Sequence, residues 1–314
     1  MPNFSGIWTV TQQMQAKGQS IWPAIPGAPT IGTATATGST TATVAFTAGS
    51  TGYPATVTFT ATSSPGGLTG TGSSSPITVT GLTAATSYTF TVVATNASGT
   101  SSASAASNSI TTPYTIGQSL GGGYYAGQIS TAGNGIADYN LVIAPKASGQ
   151  TTATWKNSNT ATAGADSVIN GPQNTLDMVA DGSSTVYPSA HFCNDLVTGG
   201  FSDWYMPAQN ELEVCYFNLK PFTNNNVTNS GINPNSVPAR ASNYTTGNPA
   251  RTSSATFYAG TAEAFDLNNY WSSSEFSATT AVTQEFYDGY QQKGLSKDGG
   301  GIPRRVRAIR RIAV

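Results

Sequence analysis

The side chains with the greatest capacity for chemistry fall in one stretch, GGFSDWYMPAQNELEVCYF, Gly199 to Phe217. Its carboxylates and its cysteine are groups used in acid–base and nucleophilic catalysis. Each residue also has a structural role that needs no chemistry. We expect Trp204 to seat a helix on a sheet, Asp203 to accept backbone N–H groups at a turn, and Glu211 to lie near the N-terminal end of a helix dipole. Because spacing alone does not reveal a perturbed carboxylate in a cleft, the framework interpretation is favoured.

Other nucleophiles and metal ligands are few. Cys193 and Cys215 do not make a disulfide scaffold and lack metal-binding spacing, so two buried thiols are favoured over a disulfide formed after release. His191 is the single histidine, so four zinc ligands are not available around the cysteines, and no Gly-x-Ser-x-Gly elbow occurs. GGGYYA at 121–126 fits a loose dinucleotide pattern without a βαβ context. The sequence predicts no catalytic residue, no metal and no cofactor, although a glycosidase pair among the 14 acids stays open.

Composition indicates a sparsely charged β protein. Charged residues make up 9% of the 314 residues, and the net charge is −1. Ordinary soluble chains carry about 25% charged residues. A net charge this close to zero attracts neither nucleic acid nor an anionic membrane. No apolar run approaches the ~20 residues that span a bilayer. The N-terminus lacks the basic start and apolar core of a secretory signal. These features favour a particle component made in a cytoplasm and released by cell lysis.

Residues 28–112 alternate apolar residues with Thr or Ser, which predicts the half-buried strands of a small β-sandwich. TSSPGG (62–67) and ITVTGLTAATSYTFTVVATNASG (77–99) resemble the middle and late strands of bacterial fibronectin type III domains. The resemblance implies a tyrosine corner at Tyr88, in which the hydroxyl bonds to the backbone. Phe46 and Phe59 stand where that family usually has Trp and Tyr. A spacer role is favoured over a binding role, since no Arg-Gly-Asp tripeptide occurs.

From Tyr114 onward aromatic residues and asparagines become denser, and two helices are predicted. The first covers Tyr187 to Val197, where an apolar face is spaced at roughly i, i+4 and i+5 (Phe192, Leu196, Val197). The second begins at Pro207, which suits a first helical position. The end of the chain, GIPRRVRAIRRIAV, is predicted to form one closing strand.

Several motifs in this second part occur in the order found in the DUF1566 family. They are GGGYYAGQI (121–129), YNLVIAPKASG (139–149), YPSAHFCNDL (187–196), GGFSDWYMPAQNEL (199–212), YWSSSE (270–275) and VRAIRR (306–311). The chain resembles these C-type-lectin-like modules of phage tail and bacterial surface proteins. The resemblance implies structural roles for a small set of signature residues (Asp203, Trp204, Glu211, Trp271, Arg307). The related formylglycine-generating chemistry does not carry over, because Cys215 lies outside the signature. Calcium-dependent sugar binding is unsupported, because the tripeptides of calcium lectins are absent.

The segment between YWSSSE and VRAIRR, residues 276–303, combines aromatic residues with small polar ones. That mixture is typical of adaptable binding surfaces. In lectin-like folds the equivalent segment is the exposed ligand face, so a ligand-binding set is predicted here: Phe276, Gln284, Tyr287, Asp288, Tyr290, Gln291 and Lys293. Val282 and Phe286 are expected to complete the sheet instead.

The first 27 residues are predicted to attach the chain to other virion proteins through large apolar side chains (Phe4, Ile7, Trp8, Trp22). The sequence therefore predicts a mainly β protein with a smaller α+β part, in three regions. These are an attachment segment with its linker (1–27), a fibronectin type III-like spacer (28–112) and a C-type-lectin-like domain (113–314).

The predicted function is a phage tail fibre or similar appendage that binds a host surface glycan or protein as a homo-oligomer, with a trimer favoured. No nucleic acid, membrane insertion or turnover is expected. The alternatives are a capsid decoration or baseplate protein and an envelope polysaccharide-degrading enzyme.

Overall fold

The structure is a computed structural model that describes residues 9–18, 22–302 and 304–314. The chain divides into two compact units, Met1–Thr115 and Ile116–Val314. The division falls between a segment rich in Thr and Ser and one rich in aromatic residues. Each unit is therefore described by itself.

The first unit consists of one short helix followed by a β-sandwich. The helix is α1 (Val10–Gly18), and the strands are β1 (Thr30–Gly38), β2 (Thr41–Thr47), β3 (Thr58–Ser64), β4 (Thr69–Gly72), β5 (Ile77–Thr80), β6 (Ser87–Asn96), β7 (Gly99–Thr100) and β8 (Ile110–Thr111). One sheet has the order β1-β2-β5 and the other the order β4-β3-β6-β7, with β8 also paired to β6. All these pairings are antiparallel.

The predicted period-2 alternation is confirmed in the sandwich. Along β6 every second side chain is buried, from Tyr88 to Asn96. Phe46 and Phe59 meet in the core with ring centroids 4.7 Å apart. The Tyr88 hydroxyl accepts a hydrogen bond from the Thr83 N–H at 3.0 Å, which is the expected hydroxyl-to-backbone contact.

The segment after β7 stays beside β6 through serines at every third position. The N–H of each serine donates to a β6 carbonyl, and its hydroxyl accepts from the N–H of the same β6 residue. The pairs are Ser101 with Ala94, Ser104 with Val92, and Ser107 with Phe90. Side-chain hydroxyls thus take the place of the carbonyls that a regular strand would offer.

The second unit combines two β-sheets with helices. Its strands are β9 (Ser119–Leu120), β10 (Gly123–Ile129), β11 (Tyr139–Ile143), β12 (Gln150–Ala153), β13 (Ser236–Val237), β14 (Asn269–Ser277), β15 (Thr280–Glu285), β16 (Gln291–Ser296), β17 (Arg304–Arg307) and β18 (Ile309–Ala313). Its α-helices are α2 (Lys146–Gly149), α3 (Gly171–Asp181), α4 (Pro188–Asn194) and α5 (Gln209–Leu219), with 3₁₀ turns at Ala255–Phe257 and Gly299–Gly301.

The two sheets of this unit are mostly antiparallel. One has the order β13-β10-β11-β18, with β9 also paired to β10, and the other has the order β12-β17-β14-β15-β16. The β14–β17 contact is parallel. The chain therefore ends in two strands that belong to different sheets, and the prediction of one closing strand is wrong. The backbone of Ala308, between them, bonds to Ala144 and Gly149.

The helices differ from the sequence prediction in three respects. Helix α5 begins at Gln209 rather than Pro207, because the Pro207 carbonyl accepts from the Ser273 N–H at 2.7 Å. Helix α4 ends at Asn194, so Val197 lies beyond it and is exposed instead of completing an apolar face. The sequence prediction does not contain helices α1, α2 and α3; α3 begins at the Asn170 cap, with a proline in its first turn. Among the helices of the described residues, none has the length and apolar character of a membrane-spanning segment.

Candidate functional site

Asp203, in the signature stretch, forms an ion pair with Arg310. Its two carboxylate oxygens accept from Nε and Nη2 of that guanidinium at 2.7 and 2.8 Å. The guanidinium carbon lies 3.7 Å from the centroid of the Phe201 ring. The expected backbone partners of Asp203 are therefore replaced by a bidentate side-chain pair, which fixes strand β18 to the turn before α5.

Glu211 lies in the first turn of α5, as predicted, and is fully buried. Its Oε2 accepts from the Ala208 N–H at 2.9 Å, and its Oε1 accepts from the Tyr205 hydroxyl at 2.5 Å and from Arg311 Nε at 2.8 Å. Burial raises the pKa of Glu211, and the Arg311 charge opposes that shift. Oε2 thus caps the start of the helix, and Oε1 joins that start to Arg311 in β18.

The two signature tryptophans and Arg307 are also buried. The indole N–H of Trp204 donates to the Phe201 carbonyl at 3.1 Å, and that of Trp271 donates to the Ala153 carbonyl at 3.1 Å. Arg307 pairs with Glu263 through Nη2 and Oε2 at 2.7 Å. These contacts satisfy polar atoms inside the protein, as a framework requires.

The remaining chemical candidates are the two cysteines and the histidine. Cys193 and Cys215 are free thiols in different apolar clusters, and burial raises the pKa of each thiol. His191 Nε2 lies 2.8 Å from the Gly182 carbonyl, and Nδ1 lies 3.6 Å from an Asp195 oxygen. In the part of the chain that the structure describes, no group of three His, Cys, Asp or Glu side chains is placed to hold a metal.

The predicted ligand-binding residues occupy two separate places. Tyr287, Asp288 and Tyr290 lie in the turn between β15 and β16, whereas Phe276 lies near the opposite end of β15. Lys293 belongs with Phe276, since its ammonium is 5.9 Å from that ring. The two places are roughly 17 Å apart, the length of about five residues of strand.

Gln284 is not part of an exposed face, and that prediction is wrong. Its side chain is 2% exposed, and its amide donates to the Gly289 carbonyl at 2.8 Å. Gln291, directly across from it, is half-buried, and its Oε1 accepts from the Gly231 N–H at 3.3 Å. Gln284 therefore braces the turn from within, whereas Gln291 contacts the Gly231 backbone.

The turn itself, residues 285–290, is tightly bonded. Glu285 donates its N–H to the Tyr290 carbonyl at 2.9 Å, and Gly289 donates to the Glu285 carbonyl at 3.0 Å. Asp288 Oδ1 accepts from the Tyr290 N–H at 3.0 Å. Gly289 has φ +82°, and a Cβ there would lie 2.5 Å from the Tyr216 ring, so only glycine fits.

An aromatic cluster supports the turn from below. Phe286 is buried and stacks on Phe265 with centroids 3.8 Å apart at 10°. Tyr216 and Tyr270 meet Phe286 edge-on at 5.4 and 4.9 Å. As predicted, Phe286 completes the core, while Tyr287 and Tyr290 remain 50% and 37% exposed.

Sequence reasoning missed one exposed aromatic residue in a loop that is hydrogen-bonded to this turn. Phe222 is 45% exposed, and the side-chain amide of Asn224 donates to the Tyr287 carbonyl. The local sequence PFTNNN has the same mixture of aromatic and small polar residues as 276–303. The same composition rule, applied to residues 221–226, could have found it.

The comparison with family models concerns the first unit. The family model for the fibronectin type III domain matches residues 27–110, so the chain contains an immunoglobulin-like sandwich of that type. With the strands of the second unit, the chain is mainly β. A comparison with curated proteins finds no match.

Among solved structures, the chain is similar to the FN5 domain of Drosophila Lar, with 24% identity over 28% of this chain and 98% of that chain and a TM-score of 0.22. It is similar to the fibronectin type III domain of human fibronectin type III domain containing protein 3, with 24% identity over 31% and 95% and a TM-score of 0.26. It is also similar to a structure of several titin domains, with 20% identity over 29% of this chain and 33% of that chain and a TM-score of 0.26. The chain thus spans about a third of that titin structure.

Proposed function

We propose that this protein is a phage virion component, a tail fibre or similar appendage, that binds a host surface receptor through its second unit. The observation that carries the proposal is the pair of exposed tyrosines, Tyr287 and Tyr290, on a turn that is rigid by hydrogen bonding and glycine geometry. Rigid aromatic side chains supply contact area at low entropic cost, which is the feature of efficient recognition surfaces.

The motifs shared with DUF1566 modules support the same proposal, because that family is C-type-lectin-like and occurs at the ends of phage tail proteins. The signature residues serve as framework in this proposal, and recognition involves no turnover, metal or cofactor. The second unit acts as the receptor-binding domain. Phe276 and Lys293 lie apart from the turn and outside the proposed contact.

In the proposal the fibronectin type III domain is a spacer, and the N-terminal segment joins other virion proteins. Phe4, Ile7 and Trp8 lie outside the described residues. Trp22 is half-buried and lines a cleft with Tyr53 and Lys17. Homo-oligomers, with a trimer favoured, would multiply the affinity of each receptor contact.

Adsorption of the labelled full chain to a panel of bacterial strains tests the proposal. For a strain that binds the wild type, Tyr287→Ala with Tyr290→Ala should weaken binding by about tenfold or more, because buried aromatic anchors dominate interfaces. Phe276→Ala is the matched control, an exposed aromatic residue away from the turn (57% exposed), and should bind normally. Equal adsorption by wild type and the double variant would place recognition elsewhere.

A further inference from the structure

The loop before Val227 is joined directly to the Tyr287–Tyr290 turn. The Asn224 side-chain amide donates to the Tyr287 carbonyl, and the Val227 N–H donates to the Asp288 carbonyl at 2.9 Å. Two consecutive carbonyls of the turn therefore accept hydrogen bonds from one neighbouring segment. The loop and the turn are positioned as a unit.

A buried ammonium group holds this loop from inside. Lys220 is buried, and its Nζ donates to the Asn224 carbonyl at 2.5 Å, to Asn226 Oδ1 at 2.6 Å and to the Pro249 carbonyl at 3.3 Å. An ammonium has three donors, so all of them are engaged. Burial lowers the pKa of Lys220, while the nearby Asp288 carboxylate opposes that shift.

Asn226 ties the same loop to the aromatic cluster beneath the turn. Its Oδ1 accepts from the Tyr216 hydroxyl at 2.6 Å, and its amide donates to the carbonyls of Thr245 at 3.1 Å and Pro249 at 2.9 Å. Tyr216 packs on Phe286 in the turn. Tyr216 therefore contacts the loop through Asn226 and the turn of the two exposed tyrosines through Phe286.

Phe222 belongs to the loop that these contacts join to the turn. It precedes Asn224 by two residues, so their Cα atoms are at most about 8 Å apart. The two exposed tyrosines and Phe222 thus come from segments that are distant in sequence and fixed to each other. We infer that Phe222, Tyr287 and Tyr290 form one three-ring surface whose ligand is a neutral saccharide of the host envelope. This inference rests on the proposed receptor-binding function.

The charges around the rings specify the ligand class. Glu285 and Asp288 both lie in the turn that carries the tyrosines, and Asp288 Oδ1 accepts from the Tyr290 N–H at 3.0 Å. The Asp288 charge, after burial, raises the pKa of Glu285, with Arg304 acting in the opposite direction. The Lys220 ammonium is enclosed, and the Lys293 ammonium lies near Phe276. The surface therefore offers rings for apolar C–H faces and carboxylate acceptors for hydroxyl groups. An anionic polymer would be repelled by the same carboxylates.

A glycan array with the full chain tests the ligand class. Neutral, sialylated and phosphorylated saccharides are compared at low and high salt. Binding is expected among the neutral saccharides, with little effect of salt on affinity. Binding only to anionic glycans, or to no glycan at all, would overturn the inference.

Three single variants test the surface. Phe222→Ala should lower the affinity for the bound saccharide by about tenfold, and Tyr287→Ala should have a similar effect. Phe276→Ala should leave the affinity unchanged. Asp288→Asn retains the Oδ1 acceptor for the Tyr290 N–H but removes the charge, and should admit anionic glycans that the wild type rejects. Normal binding by Phe222→Ala would remove the loop from the surface, and an unaltered preference in Asp288→Asn would refute the charge argument.

The two levels of failure are distinguishable. If Tyr287→Ala with Tyr290→Ala abolishes adsorption to cells but no glycan binds, the receptor function stands and the saccharide inference fails. If the tyrosine variants adsorb to cells like the wild type, the proposed function itself fails.

Discussion

Buried carboxylates in the second unit each meet a guanidinium and at least one further donor. Glu211 has Arg311 and the Tyr205 hydroxyl, and Glu213 has Arg240 and the Tyr244 hydroxyl at 2.7 Å. A buried charge is costly unless it is paired and its remaining lone pairs accept hydrogen bonds. These pairs therefore fix how helix α5 joins the rest of its unit, and they are vulnerable to loss of one partner.

Glu211→Ala should lower the free energy of unfolding of the second unit by about 3–5 kcal/mol, because it leaves the Arg311 side chain, which is only 12% exposed, without its carboxylate and frees the Ala208 N–H. Urea unfolding of the full chain, followed by tryptophan fluorescence, measures this change, since Trp155, Trp204 and Trp271 are buried in that unit. Asp166→Ala, at an exposed acid, is the control and should change stability by less than about 0.5 kcal/mol. Similar midpoints for the two variants would contradict the role of Glu211.

At the scale of elements, the serine-paired segment beside β6 is held without a regular strand ladder. The Ser104 hydroxyl accepts from the N–H of Val92, a fully buried residue, at 2.9 Å. No backbone carbonyl of a neighbouring strand takes that place. The edge of this sheet thus depends on side-chain oxygens at every third residue.

Ser104→Ala should leave the Val92 N–H unpaired and destabilise this edge by about 1–2 kcal/mol. Hydrogen exchange of the peptide that covers β6 should accelerate by roughly tenfold, since exchange follows the free energy of local opening. Ser102→Ala changes the same residue type at an exposed position of the same segment, and its exchange should match the wild type. Unaltered exchange in Ser104→Ala would show that the hydroxyl contributes little.

Strands of the sandwich are predictable because alternation is a local property. In the TATVAFT segment of β2, the buried residues Ala42, Val44 and Phe46 alternate with threonines and an alanine that are less buried, as the sequence pattern alone indicates. Helix α3 is harder to predict, because Leu176 is exposed on it and weakens the apolar periodicity.

The recognition turn is harder still to predict. Its tyrosines are recognisable from composition, but the Asn224 bond to Tyr287 joins positions 63 residues apart, and nothing local encodes that contact. Gln284 was misplaced for the same reason, because its inward direction depends on the register of β15 with β16.

At the scale of the whole molecule, the apolar clusters are confined to single units. One cluster, with Phe46, Phe59 and Phe90, lies in the sandwich, and two others lie in the second unit. Helix α1 contributes one buried apolar residue, Ala16, while Val10 and Met14 are exposed. Each unit therefore keeps its own core when the N-terminal segment is altered.

Deletion of residues 1–22 should consequently leave a folded protein. The antiparallel bridge between Ala24 and Tyr53 starts after the cut, and the fibronectin type III match begins at residue 27. Loss of Trp22 from its cleft should cost no more than about 1–2 kcal/mol in the first unit, as measured by thermal unfolding. Under the proposed function the truncated chain is then absent from purified particles, as detected by immunoblot. The Tyr287→Ala, Tyr290→Ala double variant is the reciprocal control, because it should enter particles normally and fail in adsorption. Normal incorporation of the truncated chain would show that attachment to the virion uses another surface.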